Sequence, residues 1–364
     1  MLKISELDKK RLEQREKNKE ERINSLNLFR LSLSERDPSQ EKVLTTDSNR
    51  YLVKGPAGSG KTIIAVNKAF QLMKSGEESF IVLIYTKSLH RYLKGVIKKN
   101  YPEYQGMTVK VYYEEMKKET KIDADYVIID EVQDFNINDL KKYLSEDKKG
   151  FFLFGDSGQQ VFPEKTEGKD IISEIEKFKG LDVFNLDRTY RVPEKIAKFA
   201  ACIDLHDTHI AENCYRVEGD IPLIIEFSSM EQEAKYICDR IRNELWKDVG
   251  IILKKNDDVE KMAALINANG IICEQKSENI DTLDFSSSNP KVLTYHSSKG
   301  LEFERVFIPE CSENWNENKY NYQEALFVAI TRAKETVIIS YIRGDKNQHI
   351  DEFKDGTYKK VKYE

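Results

Sequence analysis

The fold class is decided by the stretch Gly55-Pro56-Ala57-Gly58-Ser59-Gly60-Lys61-Thr62. A short apolar run at residues 51–53 precedes it and a helical pattern follows it, which predicts a strand, a tight loop and a helix. Glycines in such a loop let backbone N–H groups wrap an anion, and the N-terminus of the following helix favours negative charge. The stretch therefore predicts a phosphate-binding loop, or P-loop, rather than a purely structural glycine-rich turn.

The side chains of this loop predict a nucleoside triphosphate bound together with Mg²⁺. We expect the Lys61 ammonium to reach the β and γ phosphates and the Thr62 hydroxyl to bind the metal ion. The rest of the loop is expected to cradle the phosphates, mainly through its backbone N–H groups: Gly55, Pro56, Ala57, Gly58, Ser59 and Gly60.

An acidic segment follows an apolar strand at residues 126–129 and has the sequence Asp130-Glu131-Val132-Gln133-Asp134. The strand would deliver Asp130 to hold Mg²⁺ and Glu131 to orient or deprotonate an attacking water. An acidic loop after a strand is common by itself, but beside a P-loop this pair is the expected second half of an ATP site. ATP and Mg²⁺ are therefore the predicted cofactors.

Short apolar runs alternate with helical patterns along most of the chain and predict an α/β fold. Uniformly apolar strands with helices between them indicate parallel sheets that are covered on both faces. A capping box at Ser228 and Glu231 predicts the start of a helix, and Gly270 predicts the end of the next one. The predicted strands form two series, the first at residues 51–53, 80–85, 108–112, 126–129 and 151–154, and the second at 221–225, 249–253, 292–295, 306–308 and 337–340.

Three segments result from this pattern and from the distribution of charge. Residues 1–36 are rich in Lys, Arg and Glu and have few apolar side chains, which predicts a solvated helical arm. This arm either frays at the surface or docks a partner. Residues 37–205 are predicted to form the first domain and residues 206–364 the second.

Composition and cysteine usage predict a cytoplasmic protein without a membrane span. The 364 residues are 40% hydrophobic, and no apolar run approaches the roughly 20 residues that cross a bilayer. The first residues show no apolar segment of the signal-peptide kind. A formal net charge of -5 means that nucleic acid would have to bind in a local groove. The five cysteines favour free thiols, with zinc as the alternative for one group, namely Cys202, His206, His209 and Cys214.

The acidic segment at residues 130–134 resembles motif II of the UvrD/Rep-like superfamily 1 helicases, and further motifs follow in that family's order. Residues 154–162 resemble motif III, which implies that Gln159 or Gln160 couples the nucleotide to the nucleic-acid path. The resemblance implies that Phe162 stacks on a base. The alternation of an apolar strand end would also place Phe162 in the core, so both interpretations stay open.

Two further motifs each contain an arginine, and the resemblance implies that both arginines contact the γ-phosphate. Residues 186–191 resemble motif IV, which implies that Tyr190 stacks on adenine and that Arg191 meets the phosphate. Residues 327–334 resemble motif VI, in which Arg332 would be the second arginine. Such arginines neutralise charge that develops in the transition state, so hydrolysis would need two domains to close.

Residues 294–303 resemble motif V of the same family. This implies that Glu302 contacts the ribose or phosphate side of the nucleotide and that His296 faces the nucleic acid. At the place of motif Ia, Thr86 and Lys87 are candidate phosphate contacts on a bound strand. A lysine on a solvated loop gives the same sequence pattern, so that alternative stays open for Lys87.

The resemblance covers residues 37–342 and implies two RecA-like P-loop domains with parallel sheets. Upstream of the P-loop, Gln40 falls at the place of an adenine-reading glutamine, although a plain surface residue would look the same. Ile63 stands where many relatives carry an arginine against adenine.

About 100 residues separate Arg191 from Val292, and ordinary strands and helices fill them. The sequence therefore lacks room for the large inserted subdomains of long family members.

The resemblance implies an ATP-driven helicase or translocase that moves 3′-to-5′ on single-stranded DNA. RNA is an alternative substrate, because stacking and backbone contacts do not by themselves exclude a 2′-hydroxyl. A function of another class is also open, in which a nucleic-acid-stimulated regulatory ATPase gates a protein partner such as a nuclease or toxin, as in phage defence. The short spacing and the charged arm favour that alternative, and Phe162 with motif V favours the motor.

Overall fold

Two parallel sheets form the framework of the protein, and a small two-stranded sheet lies beside them. The computed structural model describes residues 37–76, 79–116, 124–145, 147–156, 170–217, 219–312 and 322–363. The predicted charged arm at residues 1–36 lies outside the described residues, and so do Gln159, Gln160 and Phe162.

The first sheet has the strand order β3-β2-β4-β5-β1-β6, and all of its neighbours are parallel. Strands β2, β4 and β5 are buried along their whole length, as their uniform apolar composition predicts. The six strands are β1 (Arg50–Lys54), β2 (Phe80–Ile84), β3 (Val109–Val111), β4 (Tyr126–Ile129), β5 (Gly150–Gly155) and β6 (Asp182–Asn185).

Helices cover both faces of the first sheet. One face packs against α1, α2 and α3, and the opposite face against α5 and α6. Short side-chain caps begin several of these helices, since Asp37, Thr86 and Asp170 each accept a hydrogen bond from a backbone N–H of the first turn. The helices are α1 (Pro38–Thr45), α2 (Lys61–Lys74), α3 (Lys87–Asn100), α4 (Tyr112–Met116), α5 (Ile137–Tyr143) and α6 (Ile171–Glu176).

The second domain is built on a seven-stranded parallel sheet of order β11-β12-β10-β13-β14-β9-β15. Helices α8 and α9 cover one face, and α7 and α10 cover the other. A separate pair of parallel strands, β7 and β8, lies beside this sheet. The remaining elements are β7 (Thr189–Pro193), α7 (Glu194–Ala200), β8 (Cys214–Arg216), β9 (Leu223–Phe227), α8 (Met230–Asn243), β10 (Val249–Leu253), α9 (Asn256–Ala268), β11 (Glu274–Lys276), β12 (Lys291–Thr294), β13 (Phe303–Ile308), α10 (Tyr322–Ile330), β14 (Ala333–Ile342) and β15 (Lys359–Lys362).

Several predicted boundaries differ from the observed ones. Helix α8 is capped one residue later than predicted, because the Ser229 hydroxyl accepts from the backbone N–H of Gln232. Strand β9 begins after Pro222, which has no N–H to donate to a ladder. Helix α7 packs into the core of the second sheet, although its residues precede the domain boundary predicted after residue 205. The change from the first core to the second thus lies near Val192.

Candidate active site

The P-loop connects β1 to α2 and takes the backbone shape that its glycines predict. Gly58 and Gly60 have φ angles of 77° and 92°, in the left-handed region that side chains disfavour, and α2 begins at Lys61. The Lys61 ammonium donates to the carbonyl oxygens of Gly55 at 2.6 Å and Pro56 at 3.0 Å. These bonds hold the cation inside the loop, at the N-terminus of the helix.

Thr62 and Asp130 meet at the mouth of the P-loop. The Thr62 hydroxyl donates to a carboxylate oxygen of Asp130 at 2.6 Å, and Asp130 is buried at the end of β4. Burial and the neighbouring Glu131 raise the pKa of Asp130 to about 7, against the opposing effect of the Thr62 bond. A hydroxyl and a carboxylate in this position fit Mg²⁺, which takes oxygen ligands and would offset the buried negative charge.

Glu131 lies beside this pair in an uncommon backbone conformation. Its φ of 56° places a residue with a side chain in the left-handed region. Its carboxylate accepts a hydrogen bond from the Gln133 amide at 2.6 Å. Burial alone would raise the pKa of Glu131, but Lys299, Lys61 and Arg332 together lower it below its usual value. The carboxylate is therefore charged and able to orient a water or accept its proton.

The order of the strands places a further residue, Asp156, in the candidate site, and the motifs alone did not predict it. Because β5 lies between β1 and β4, its C-terminal end falls between the P-loop and the acidic segment. Asp156 follows β5, is buried, and places a carboxylate oxygen 3.8 Å from the Lys61 ammonium. An acidic residue two positions after the predicted strand at 151–154 was the available signal in the sequence, but the order of the strands is needed to place it in the site.

Strand β7 docks directly on the P-loop. The Thr189 hydroxyl donates to the Ala57 carbonyl at 2.6 Å, and the Tyr190 N–H donates to the Gly58 carbonyl at 3.0 Å. A Cβ atom on Gly58 would lie 2.5 Å from the Cβ of Arg191. Glycine is thus required for the close approach that brings Arg191 beside the phosphate-binding loop.

Arg191 is held by an ion-pair network from the second domain. Its Nε donates to Glu302 at 2.6 Å, and the other oxygen of Glu302 lies 3.0 Å from the Lys334 ammonium. Burial acts to raise the pKa of Glu302, but Lys334 and Arg191 hold it well below its usual range. Both oxygens of Glu302 therefore bind cations of the protein, and in this arrangement Glu302 orients Arg191.

Arg332 approaches the same cleft from the end of α10. Its side chain is buried, and its Nε donates to the Val328 carbonyl at 2.9 Å. Burial and the nearby Arg191 lower the pKa of Arg332 to about 9, although Glu131 and other acids of the cleft favour its charged form. The guanidinium remains charged at neutral pH and lies within electrostatic reach of Glu131.

A turn that follows β12 packs into the first domain. Lys299 forms an ion pair with Asp134, and both side chains are completely or almost completely buried. The Thr86 hydroxyl donates to the Lys299 carbonyl at 3.4 Å. Gly300 has a φ of 77°, and a Cβ atom there would lie 2.6 Å from a methyl group of Leu89. These contacts join the motif V segment to the motif II and motif Ia segments across the cleft.

Sequence comparisons match each half of this site to a known protein family. Residues 10–157, with the P-loop and motif II, match the family described as type III restriction enzyme, res subunit. Residues 273–344, with motifs V and VI, match the UvrD-like helicase C-terminal domain. Together the two matches relate the chain to the UvrD-like superfamily 1 helicases. These matches support the expectation of an ATP-hydrolysing, helicase-type enzyme.

Curated proteins that this chain resembles are named as helicases. A probable DNA helicase of Mycoplasma pneumoniae is 25% identical over 234 residues, covering 59% of this chain and 43% of the relative. A helicase-named protein of a Sulfolobus islandicus filamentous virus is 23% identical over 301 residues, covering 69% of this chain and 52% of the relative. The chain thus spans about half the length of the curated relatives it matches.

The structure of Mss116p (NTE and C-tail double deletion) bound to ssRNA and AMP-PNP has a similar fold. Its TM-score is 0.55 at 13% sequence identity, and the match covers 90% of this chain and 74% of that chain. At this identity the likeness concerns the fold alone. It agrees with the prediction of paired RecA-like domains with parallel sheets.

Gln40 and Tyr190, which were expected to contact adenine, are both engaged within the protein. The buried Gln40 amide donates to the Ser59 carbonyl at 2.9 Å, so it supports the P-loop. The Tyr190 hydroxyl donates to Asp37, the N-cap of α1, and its ring lies 5.3 Å from the ring of Tyr215. Tyr190 remains partly exposed beside the loop, where a base could stack.

Among the described residues, the candidate nucleic-acid contacts Thr86, Lys87 and His296 lie in two neighbouring segments. Thr86 is a buried N-cap whose hydroxyl accepts from the Leu89 N–H at 3.2 Å, so its hydroxyl is engaged within the protein. Lys87 is exposed and lies 3.1 Å from Glu114. The partly exposed His296 ring packs edge-on against Tyr85 at 5.5 Å, next to this segment.

The structure does not support a zinc site. Across the part of the chain that is described, no group of three or more His, Cys, Asp or Glu side chains is arranged to hold a metal ion. The Cys214 thiol donates to the Val192 carbonyl at 2.8 Å, and His206 bonds to Glu324 at 2.6 Å. All five cysteines are free thiols. No helix within the described ranges is long and apolar enough to cross a membrane.

Proposed function

We propose that the protein is an ATP-driven motor that binds Mg²⁺ and ATP and translocates 3′-to-5′ on single-stranded DNA, with strand separation as its output. The observation that carries this proposal is the meeting of charges from both domains at one cleft. Lys61 and Glu131 face it from the first domain, and Arg332 approaches from the second, with Arg191 held beside the P-loop. The family matches and this geometry support the same function.

Each residue of the cleft takes a defined part in the proposed hydrolysis. Lys61 and the P-loop backbone would bind the β and γ phosphates, and Thr62 with Asp130 would hold Mg²⁺, which neutralises phosphate charge. Glu131 would orient the attacking water and accept its proton. Arg191 and Arg332 would stabilise charge that develops on the transferred phosphoryl group.

The contacts across the cleft support coupling of hydrolysis to a nucleic acid. Arg332 and the Lys299 turn belong to the second domain, so the complete site exists only while the domains are closed. The same turn carries His296 next to the segment of Thr86 and Lys87. We infer that opening and closing during ATP turnover move these two nucleic-acid segments relative to each other, which advances the motor along a strand.

The test is nucleic-acid-stimulated hydrolysis followed by strand displacement. ATP turnover is measured with no nucleic acid, with single-stranded DNA and with single-stranded RNA, using Glu131→Gln as the inactive control. Duplexes with a 3′ or a 5′ tail then report direction. We expect stimulation by DNA and displacement of the duplex with a 3′ tail. The absence of stimulation by either nucleic acid would contradict the motor.

A regulatory ATPase that gates a protein partner is the second candidate. The observation in its favour is that residues 192–291 are occupied by elements of the second domain from α7 to β12. That stretch holds no large inserted subdomain of the kind that long relatives carry. Stimulation of hydrolysis by DNA without strand displacement, on duplexes of either polarity, would favour gating over unwinding.

A further inference from the structure

We propose that Gln133 is a positioning residue that fixes the carboxylate of Glu131 and ties it to the end of β5. The inference rests on the proposed ATP hydrolysis and deepens it. Gln133 is completely buried, and its amide bonds in two directions. The NH₂ group donates to Glu131 at 2.6 Å, and the oxygen accepts from the backbone N–H of Asp156 at 3.0 Å.

Only a primary amide side chain of this length can donate to Glu131 and accept from the backbone N–H of Asp156 at the same time. A carboxamide carries a donor and an acceptor on the same planar group, whereas a carboxylate offers acceptors only. At this position a carboxylate would face the charged Glu131 without a hydrogen to donate. An apolar side chain of the same size would leave the Asp156 N–H and the Glu131 oxygen without these buried bonds, which is unfavourable in a low-dielectric interior.

The local backbone shows why Glu131 needs such a tether. Glu131 has a φ of 56°, and a 3₁₀ turn at Val132–Asp134 follows it directly. This turn brings Gln133 back over the carboxylate two residues earlier. Gly155 leaves room for the amide, since a Cβ atom there would lie 2.9 Å from the Gln133 oxygen. The bend of the backbone and the missing side chain at residue 155 together create the place that Gln133 fills.

The tether also sets Glu131 relative to the P-loop lysine. Asp156 directs its N–H to Gln133 and places its carboxylate 3.8 Å from the Lys61 ammonium. Glu131, Gln133, Asp156 and Lys61 thus form one connected series over three adjacent strand ends. Loss of the amide would free the Glu131 carboxylate to turn away from the water that it must orient, while the P-loop would still bind nucleotide.

The experiment is a double-mutant cycle between Gln133→Met and Glu131→Gln, read by single-turnover hydrolysis and by Mg·ATP binding. We expect Gln133→Met to lower hydrolysis by about 10- to 100-fold, by analogy with the loss of residues that orient the ligands of metal sites. Affinity for Mg·ATP should stay nearly unchanged. In the Glu131→Gln background the same substitution should not lower hydrolysis further, because the effects of residues that act through one another are not additive.

Two controls separate positioning from a general loss of stability. Gln71→Met removes an amide bond of the first domain outside the site, to the Leu44 carbonyl at 3.0 Å, and should leave hydrolysis unchanged. Gln133→Glu keeps the size and one acceptor but cannot donate to Glu131 as a carboxylate. It should lower hydrolysis as Gln133→Met does, and it carries the same test if Gln133→Met fails to fold.

The outcomes distinguish this inference from the proposed function. If the wild-type protein hydrolyses ATP and a folded Gln133 variant turns it over normally, the positioning role is wrong and the ATPase stands. An additive loss in the double variant would likewise overturn it. A wild-type protein that binds but never hydrolyses ATP, with or without nucleic acid, would instead overturn the proposed function.

Discussion

The charge state of Glu131 is decided by residues from both domains. A carboxyl group buried to this degree would ordinarily favour its neutral form, because the interior solvates charge poorly. Here Lys299, Lys61 and Arg332 lower the pKa of Glu131, whereas the pKa of the adjacent Asp130 is raised to about 7. Two neighbouring carboxylates are thus given different environments. One fits a role at the metal ion and the other a role at the water.

Removing the charge of Glu131 should separate binding from hydrolysis. We expect Glu131→Gln to bind Mg·ATP as tightly as the wild type or more tightly, because the shape is kept and buried negative charge is removed. Hydrolysis should fall by about 10²- to 10⁴-fold, the range for loss of a general base. Single-turnover hydrolysis and equilibrium binding measure the two effects.

Glu115→Gln provides the matched control, since Glu115 is also a buried carboxylate of the first domain and lies 3.1 Å from Lys110. It should retain normal hydrolysis. Turnover at the wild-type rate in Glu131→Gln would show that another residue orients the water.

Residues within contiguous motifs could be predicted from the sequence, and residues defined by strand order could not. The contact between Thr62 and Asp130 follows from the two motifs themselves. Asp156 became part of the site only because β5 lies between β1 and β4. Glu302 was expected to contact the nucleotide, but its partners depend on how distant segments pack. Roles of the site residues toward ATP and nucleic acid stay predictions.

Elements with strong apolar patterns were predicted, and short polar strands were not. Strands β1, β2, β4, β5 and β10 follow the apolar runs closely, because burial on both faces leaves a continuous signal. Strand β15 has the sequence Lys-Lys-Val-Lys and is exposed, and β6 is mostly exposed. Both lie at sheet edges, where hydrogen bonds to one neighbour hold a strand that has little apolar surface.

The docking of β7 on the P-loop gives a prediction for Gly58. We expect Gly58→Ala to weaken Mg·ATP binding and hydrolysis strongly, because the added Cβ would lie 2.5 Å from the Cβ of Arg191. The φ of 77° adds a backbone cost of about 1 to 2 kcal/mol. Hydrolysis and thermal unfolding are measured together.

Gly76→Ala is the matched control, since Gly76 has a φ of 81° and no atom within 4 Å of the added Cβ. Gly76→Ala should lower stability only by the backbone cost of its positive φ, and it should leave ATP turnover unchanged. Equal effects of the two substitutions on hydrolysis would mean that contact with Arg191 is unimportant.

In the whole molecule, the ion pairs that join the two domains across the cleft differ in how deeply they are buried. Lys299 and Asp134 pair in a fully buried environment, whereas Arg91 and Asp281 pair at 2.6 Å near the surface. Exposed pairs contribute little, about 0 to 1 kcal/mol, and salt screens them. A buried pair behaves differently, since removal of one partner leaves the other charge in a low-dielectric site.

Arg191 should be needed for hydrolysis and dispensable for folding. Its side chain is partly exposed, and Glu302 keeps Lys334 as a partner when the guanidinium is lost. We expect Arg191→Gln to lower single-turnover hydrolysis by about 10²-fold or more, as for other donors to a transferred phosphoryl group, with little change in melting temperature. Lys195→Gln changes an exposed cation two residues beyond the end of β7 and should be neutral. Normal hydrolysis in Arg191→Gln would contradict the two-arginine site.

Variants of the Lys299–Asp134 ion pair test how far closure of the cleft depends on one buried interaction. Lys299→Met or Asp134→Asn alone should favour the open cleft, since a buried charge left without its partner costs about 3 to 5 kcal/mol. Both single variants should therefore hydrolyse ATP slowly even at saturating nucleotide.

The double variant should recover part of this loss, because no charge is stranded, and a coupling free energy of about 1 to 3 kcal/mol should appear in the cycle. Single-turnover hydrolysis at low and high salt measures it, and the coupling should survive salt because the pair is buried. The corresponding cycle at Arg91 and Asp281 should give little coupling, and salt should remove it. Strictly additive losses at Lys299 and Asp134 would show that the two side chains do not act as the link between the domains. The first domain and the second would then have to be joined in the hydrolytic state by the remaining contacts of the cleft.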